Sequence, residues 1–220
     1  IALLPIVESN YYPFSYSHGT ATGIWQFIPS TGRMYGLDED WWHEDRRDVL
    51  ASTKAAVQYL KDLNQMFDGD WLLSIAAYNA GPGRVQRAID NNIKQGKKID
   101  YWSLDLPKET EKYVPKLLAV ARVLKDPDRF NQKLTMIENK PYLEQVKLQS
   151  QFDLALIAQW TNLSIDEIYS FNPGLKRWAT PETLPYTILL PIEVVDDFTE
   201  TLSNQKNRPK VSWTRYKVKE

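Results

Sequence analysis

At 220 residues the chain is long enough for one large domain, or for one domain and a small module, and for a real core in either case. Its 27 basic and 28 acidic residues leave a net charge of -1, which excludes an electrostatic grip on nucleic acid or on an anionic membrane surface. Cysteine is absent, which excludes disulfides and thiolate chemistry, and no apolar run approaches the ~20 residues that would span a bilayer.

The aromatic content, 8 Trp, 12 Tyr and 7 Phe, suits stacking against sugar rings and equally suits core filling. The chain opens inside an apolar helical pattern without a basic-then-apolar leader, so a trimmed piece of a longer precursor is expected. In this opening stretch Leu4, Glu8 and Tyr11 fall on one helical face, which sets a carboxylate among apolar neighbours. Burial there raises a carboxyl pKa and keeps a glutamic acid protonated as a general acid; a helix-end glutamate turned to solvent is the alternative. Tyr11 to Thr22, with Pro13 and Gly19 as breakers, reads as a loop able to wall a cleft. In Gly23-Ile24-Trp25-Gln26-Phe27-Ile28-Pro29 one amide sits among large apolar groups and needs a partner, either nearby backbone or a sugar.

The run with Asp38, Glu39, Asp40, Glu44, Asp45 and Asp48 reads as hydrophilic loop and cap. From Asp48 as N-cap, Val49, Thr53, Ala56, Leu60, Leu63 and Phe67 make an amphipathic helix. A second helix carries Trp71, Ile75 and Tyr78 and stops at Gly81-Pro82-Gly83; Tyr78 and Asn79 at its end read as core aromatic and turn residue as readily as site residues. Arg84 to Asn91 makes a short helix. A further helix follows Pro107 with a kink or restart at Pro115, and Glu109 and Glu111 suit its N-terminus as structural acids. After the break at Asp126-Pro127-Asp128 comes a strand around Val146 and Leu148, a helix over 152–161 and a second helix opened by the capping box Ser164-Ile165-Asp166-Glu167. That helix ends at Asn172-Pro173-Gly174, and a strand follows over 186–190. Ser203 to Pro209 reads as a polar linker.

Three motifs, Glu8-Ser9, Gly23-Ile24-Trp25-Gln26-Phe27 and Ala77-Tyr78-Asn79-Ala80-Gly81, stand in this order ahead of Glu109-Thr110-Glu111-Lys112-Tyr113-Val114-Pro115. Together they resemble the soluble-lytic-transglycosylase-like family of the lysozyme superfamily over roughly residues 1 to 130. Residues 142–191 resemble a LysM module, with Gln151-Phe152-Asp153-Leu154 in place of the usual Gly-Asp-Thr-Leu, so little glycan affinity is expected of it. The resemblance implies a mainly α chain: a lysozyme-like helical catalytic domain over 1–130, then a small α+β (βααβ) LysM-like module over 140–195. Residues 200–220 would be a linker and, at Tyr216-Lys217-Val218-Lys219-Glu220, the start of a truncated further LysM unit.

The same resemblance implies cleavage of the bond between N-acetylmuramic acid and N-acetylglucosamine in peptidoglycan, with a 1,6-anhydromuramyl product. Glu8 would be the sole catalyst, because a hydrolytic glycosidase normally shows two carboxylates about 5 to 10 Å apart and no second acid here sits in a recognisable motif. By resemblance, Ser9 would hydrogen-bond near Glu8 or the substrate N-acetyl group, and Gln26 and Asn79 would hold sugar polar groups. Tyr78 would line the cleft, and the Tyr113 hydroxyl would face Glu8. Trp25 stands where the family commonly has a smaller apolar residue, often methionine, so a differently shaped subsite is expected. Peptidoglycan glycan strands are the implied partner, with no cofactor, no metal and no nucleic acid. A periplasmic monomer is expected, attached to the outer membrane only through a precursor segment absent from this chain. A goose-type lysozyme-like hydrolase and a non-catalytic glycan-binding protein are the alternatives.

Overall fold

The computed structural model describes residues 1–17, 19–204 and 211, so the expected LysM opening at 216–220 and residues 205–209 of the expected linker lie outside the described residues. The chain is mainly helical and divides into two compact units. One comprises Ile1–Gly36 and Leu50–Ile137; the other comprises Leu37–Val49 and the chain from Glu138 on.

In the first unit six helices follow one another: α1 (Leu4–Ser9), α2 (Pro29–Met34), α3 (Val49–Met66), α4 (Trp71–Ala80), α5 (Pro82–Lys94) and α6 (Lys108–Lys125). Five consecutive residues of α4, from Leu73 to Ala77, are buried, so the middle of this helix has no solvent face and runs through the core. Asp70 caps it by accepting from the Leu72 and Leu73 amides at 2.8 and 3.1 Å. Gly81 at φ 84° ends it, and Pro82 starts α5 at once, so a single glycine carries the corner. The helix expected over 84–91 therefore runs longer, over Pro82–Lys94, because Pro82 initiates it instead of stopping the helix before it. α1 ends earlier than its apolar pattern suggests. Asn10 turns left-handed, the Tyr11 amide bonds back to the Pro5 carbonyl at 3.1 Å, and Tyr11 leaves the Glu8 face to lie half exposed.

α6 is continuous through Pro115, where a kink or restart is expected. Proline removes the N–H that would bond the carbonyl of Glu111. The buried Tyr101 hydroxyl stands in for it, within reach of the Glu111 and Thr110 carbonyls at 3.1 and 3.0 Å. The helix keeps its course because a side chain from outside replaces the missing donor. α4 and α1 both pack on α6.

In the second unit, β1 (Leu143–Leu148) pairs antiparallel with β2 (Tyr186–Pro191), Val146 opposite Ile188 and Leu148 opposite Tyr186. Between them lie α7 (Leu154–Thr161) and α8 (Ile165–Phe171), the latter opened by the expected Ser164–Glu167 capping box. Asn172 is buried and acts as a substitute strand residue, donating to the Leu189 carbonyl at 2.9 Å and accepting from the Leu189 amide at 2.7 Å. Phe152, at the departure from the LysM pattern, is fully buried in the core.

Two features of this unit depart from expectation. A helix, α9 (Ile192–Asn204), follows β2 and runs across the expected end of the module at 195 and the expected start of the linker at 200; Val195, Phe198 and Leu202 enter the core at helical spacing. The acidic segment 37–49 also belongs to this unit, because its backbone pairs with the turn after α8. The Glu44 amide donates to the Gly174 carbonyl at 2.8 Å and the Lys176 amide to the Trp42 carbonyl at 2.8 Å, and Lys176 Nζ reaches Glu39 at 2.7 Å. Gly174 is required there: a Cβ would lie 2.3 Å from His43 Nε2.

Replacing Tyr101 with Phe removes one donor and leaves the packing, so chemical denaturation should show a loss of about 1–2 kcal/mol. In a Pro115→Ala background the restored amide can serve the Glu111 carbonyl, and the same substitution should cost clearly less. Equal costs in both backgrounds would show that the Tyr101 hydroxyl does not stand in for the donor that Pro115 lacks.

Candidate active site

A cleft of about 640 Å³ opens in the first unit, walled by residues of α1, the 15–31 stretch, α3, the end of α4 and the first turns of α6. Glu8, Gln26, Tyr78, Asn79 and Tyr113, five of the six residues singled out in the sequence, line it together.

Glu8 comes from the last turn of α1, on the helix that packs on α6. Burial pushes its carboxyl pKa up to about 7, and the nearby charge of Glu109 adds to the effect; the Tyr113 hydrogen bond and Lys116 pull the other way without cancelling it. The Tyr113 hydroxyl donates a short hydrogen bond to Oε1. Burial, then the charge of Glu8, pushes the phenol far above its ordinary range, so Tyr113 keeps its proton and acts as a fixed donor.

Gln26 takes a left-handed backbone (φ 50°) in the tight turn that Gly23 opens, a strained conformation for a residue with a side chain. Its Nε2 donates to the Gly23 and Ser15 carbonyls at 2.8 and 3.3 Å, so the amide satisfies backbone while lining the cleft. Tyr78 donates to the Trp25 carbonyl at 2.8 Å, which ties α4 to the same turn. Asn79 is held at both ends of its amide: Oδ1 accepts from Thr110 at 2.8 Å and Nδ2 donates to Glu109 at 3.0 Å. Thr110 is buried, so this grip fixes which way the amide faces.

Two expectations change. Ser9 is buried behind the wall and is not part of the cleft lining; its hydroxyl faces the Ile24 and Pro5 carbonyls at 2.9 and 3.2 Å, so it clips α1 to the 23–27 turn instead of reaching Glu8 or substrate. Trp25 also turns inward, buried and donating from Nε1 to Thr53 at 2.8 Å, so its bulk does not reshape a subsite. The acids of the 37–48 run are absent from the cleft wall. Among the described residues no three His, Asp or Glu side chains converge to hold a metal ion.

Several lining residues lie outside the six singled out in the sequence. Glu109 suits the helix N-terminus as a structural acid, yet it stands one turn before Tyr113 on the same face of α6, an i, i+4 relation legible in the sequence. Lys112 and Lys116 join it on the wall. Tyr59 of α3 also lines the cleft, three residues after Ala56 and four before Leu63 on the buried stripe, where it reads as one more core aromatic.

Residues 1–101 match the family model described as the transglycosylase SLT domain, and residues 142–207 match the LysM-like domain of lytic transglycosylase MltD. Membrane-bound lytic murein transglycosylase D of Escherichia coli (strain K12) is 44% identical over 93% of this chain and 45% of its own length. The chain thus spans less than half of that relative. A protein of Alteromonas sp. (strain M-1) named for tributyltin chloride resistance is 32% identical over 75% of this chain and 78% of its own. Among solved structures, the 70 kDa soluble lytic transglycosylase of Escherichia coli is 26% identical over 53% of this chain and 19% of its own, with a TM-score of 0.40. On the two sequence relatives and the two domain matches, this chain belongs to the lytic transglycosylase family that pairs an SLT domain with an MltD-type LysM-like domain.

Proposed function

We propose that this chain cleaves the β-1,4 bond between N-acetylmuramic acid and N-acetylglucosamine in peptidoglycan, and that it does so without water. The observation that carries this reading is Glu8: a carboxyl held near pKa 7 by burial, with one oxygen engaged by Tyr113, in a cleft between Gln26 and Asn79. With Oε1 accepting from the phenol, Oε2 is the oxygen that carries the acid proton. Glu8 gives that proton to the glycosidic oxygen as the C1–O bond breaks, and the acetamido oxygen of the same sugar attacks C1. Glu8, now a carboxylate, takes the proton of the muramyl 6-hydroxyl while its oxygen displaces the acetamido group from C1. The product is a 1,6-anhydro sugar, and Glu8 ends protonated as it began. A nucleophile within the same sugar gives this closure the entropic advantage of an intramolecular step.

Gln26 and Asn79 serve in this reading as binders of sugar polar groups, Tyr78 as a cleft wall, and Tyr113 as the group that orients Glu8. The periplasm is the proposed location, where peptidoglycan lies; the Escherichia coli relative is named as membrane-bound. The catalytic domain is proposed to lie within residues 1–130, less the segment 37–49 that folds with the second unit, and the LysM-like module is proposed to add little glycan affinity because Phe152 in its first loop is spent on the core. One observation favours hydrolysis instead. Glu109 is a second carboxylate on the cleft wall, the acid a goose-type hydrolase would need to activate water.

Glu8→Gln keeps shape and hydrogen bonding but cannot transfer a proton, so lysis of purified peptidoglycan should fall by at least about 10²-fold. Activity within a few-fold of the parent, in a folded protein, would leave a glycan-binding role.

The raised pKa sets two pH dependences. Activity requires protonated Glu8, so kcat/KM should fall as pH rises through about 7. Stability moves the same way: between the ordinary 4.5 and about 7 the native state binds more protons than the unfolded chain, so stability is lost as pH rises across that window, by an amount on the order of 3 kcal/mol. Glu8→Gln should therefore melt above the parent at pH 8 and close to it at pH 4.5. Equal melting differences at both pH values would contradict the buried acid.

Mass analysis of the released muropeptides separates the two enzymatic readings. Ring closure yields products lighter by one water than hydrolysis products and insensitive to borohydride. Predominantly reducing ends would favour the hydrolase, with Glu109 as its base.

A further inference from the structure

Phe27, Tyr35, Tyr59 and Tyr78 form one aromatic cluster beside the cleft, with the Tyr59 ring at its centre. Its centroid lies 5.0 Å from Tyr35, 5.3 Å from Tyr78 and 6.3 Å from Phe27. The cluster holds the ring from several sides, and Tyr35 is itself anchored to α3 through Asp62, three residues beyond Tyr59, at 2.9 Å. The hydroxyls of the neighbours are committed: Tyr35 to Asp62, Tyr78 to the Trp25 carbonyl, and Tyr113 across the cleft wall to Glu8. The Tyr59 hydroxyl has no hydrogen-bond partner among the described residues, although its side chain is half-buried and lines the same cleft as Glu8. A half-buried phenol usually finds a partner, and the fold holds this one rigidly on the cleft wall, where a ligand can take its hydrogen bond in place of water.

We propose that Tyr59 is a further substrate-binding residue, whose phenol donates a hydrogen bond to an oxygen of the N-acetylhexosamine chain in the cleft. The proposal rests on the peptidoglycan reading above. Such a chain is rich in acceptors, the acetamido carbonyls and ring hydroxyls, and a donor already fixed in place loses little entropy on pairing with one. Burial holds the phenol up to about pKa 12, so it remains a neutral donor throughout the working range.

Tyr59→Phe is a clean probe, because it keeps the ring and its packing and breaks no hydrogen bond within the protein. Binding is measured by co-sedimentation with purified peptidoglycan in the Glu8→Gln background, so that nothing is cleaved. The dissociation constant should rise roughly 3- to 10-fold, the yield of one neutral hydrogen bond, with the melting temperature unchanged. In the active protein the same factor should appear in KM while kcat stays within about twofold. Tyr35→Phe, which does lose an internal bond, should lower the melting temperature and leave affinity unchanged. Affinity within twofold of the parent after Tyr59→Phe would overturn the assignment, as would a melting temperature lowered as far as by Tyr35→Phe, which would show the hydroxyl bonded inside the protein. Failure of the Glu8→Gln parent itself to sediment with peptidoglycan would overturn the glycan reading, and Tyr59 with it.

Discussion

The site depends on one hydrogen bond, from the Tyr113 hydroxyl to Oε1 of Glu8, made where water is largely excluded. Exclusion of water is what lifts the acid toward neutrality, and an acid so placed destabilises the native state whenever it ionises. The tyrosine bond works against that lift, since it favours the charged form, yet burial remains the larger effect. The balance suits the proposed role of Glu8, first acid and then base. Burial makes the proton available near neutral pH, and the phenol, which never releases its own proton, steadies the carboxylate once that proton has gone.

The first set of ties that fixes this pair converges on α6. Its first turns carry Glu109, Thr110 and Tyr113, which between them grip Asn79 and Glu8. A restart at Pro115 would have uncoupled these residues from Leu117, which is buried beyond them. The Tyr101 hydroxyl supports the unbroken helix by serving the Glu111 carbonyl, which Pro115 leaves without a donor. A second set of ties meets at the 23–27 turn, where Ser9 clips α1 and Tyr78 clips α4 to adjacent carbonyls. Glu8 and Asn79 are thus referenced to the same two supports, α6 and one strained turn, so a shift of either helix alone would break bonds at both.

The longer helices of the first unit were legible because their apolar spacing and caps agree, as at Asp70 and Gly81, whereas the six-residue α2 has too short a pattern to be read. Glu8, Gln26, Tyr78, Asn79 and Tyr113 were legible because short motifs recur in a set order, whereas direction within a motif was not. Ser9 adjoins Glu8 and Trp25 adjoins Gln26, yet both turn away from the cleft, because successive residues of a helix or turn face different sides. Tyr59 and Glu109 were hidden for the opposite reason. Each has a sufficient ordinary explanation, as core aromatic or as helix-terminal acid, and only the tertiary structure sets them beside Glu8. α9 carried a readable signal in Val195, Phe198 and Leu202, but a strand ending in Pro191 reads as the close of the module.

The segment 37–49 was the hardest to read, and it alters what a domain boundary means in this chain. Its acids spend themselves on local bonds, Asp40 on the Trp42 and His43 amides at 2.7 Å each and Asp45 on His43 at 3.0 Å, which is why they read as loop and cap. What assigns the segment to the second unit is long-range: backbone pairing with residues 174–176, Trp42 against Trp178 at 5.5 Å, and Arg177 lying 3.9 Å over Trp41. No local pattern encodes a pairing across some 130 residues, since its loop-closure cost is met only when the second unit folds. The chain therefore passes between its two units three times, near residues 36, 49 and 137. The LysM-like module is completed by thirteen residues from the N-terminal part of the sequence, so a cut at any single boundary would leave one unit with an unfilled face.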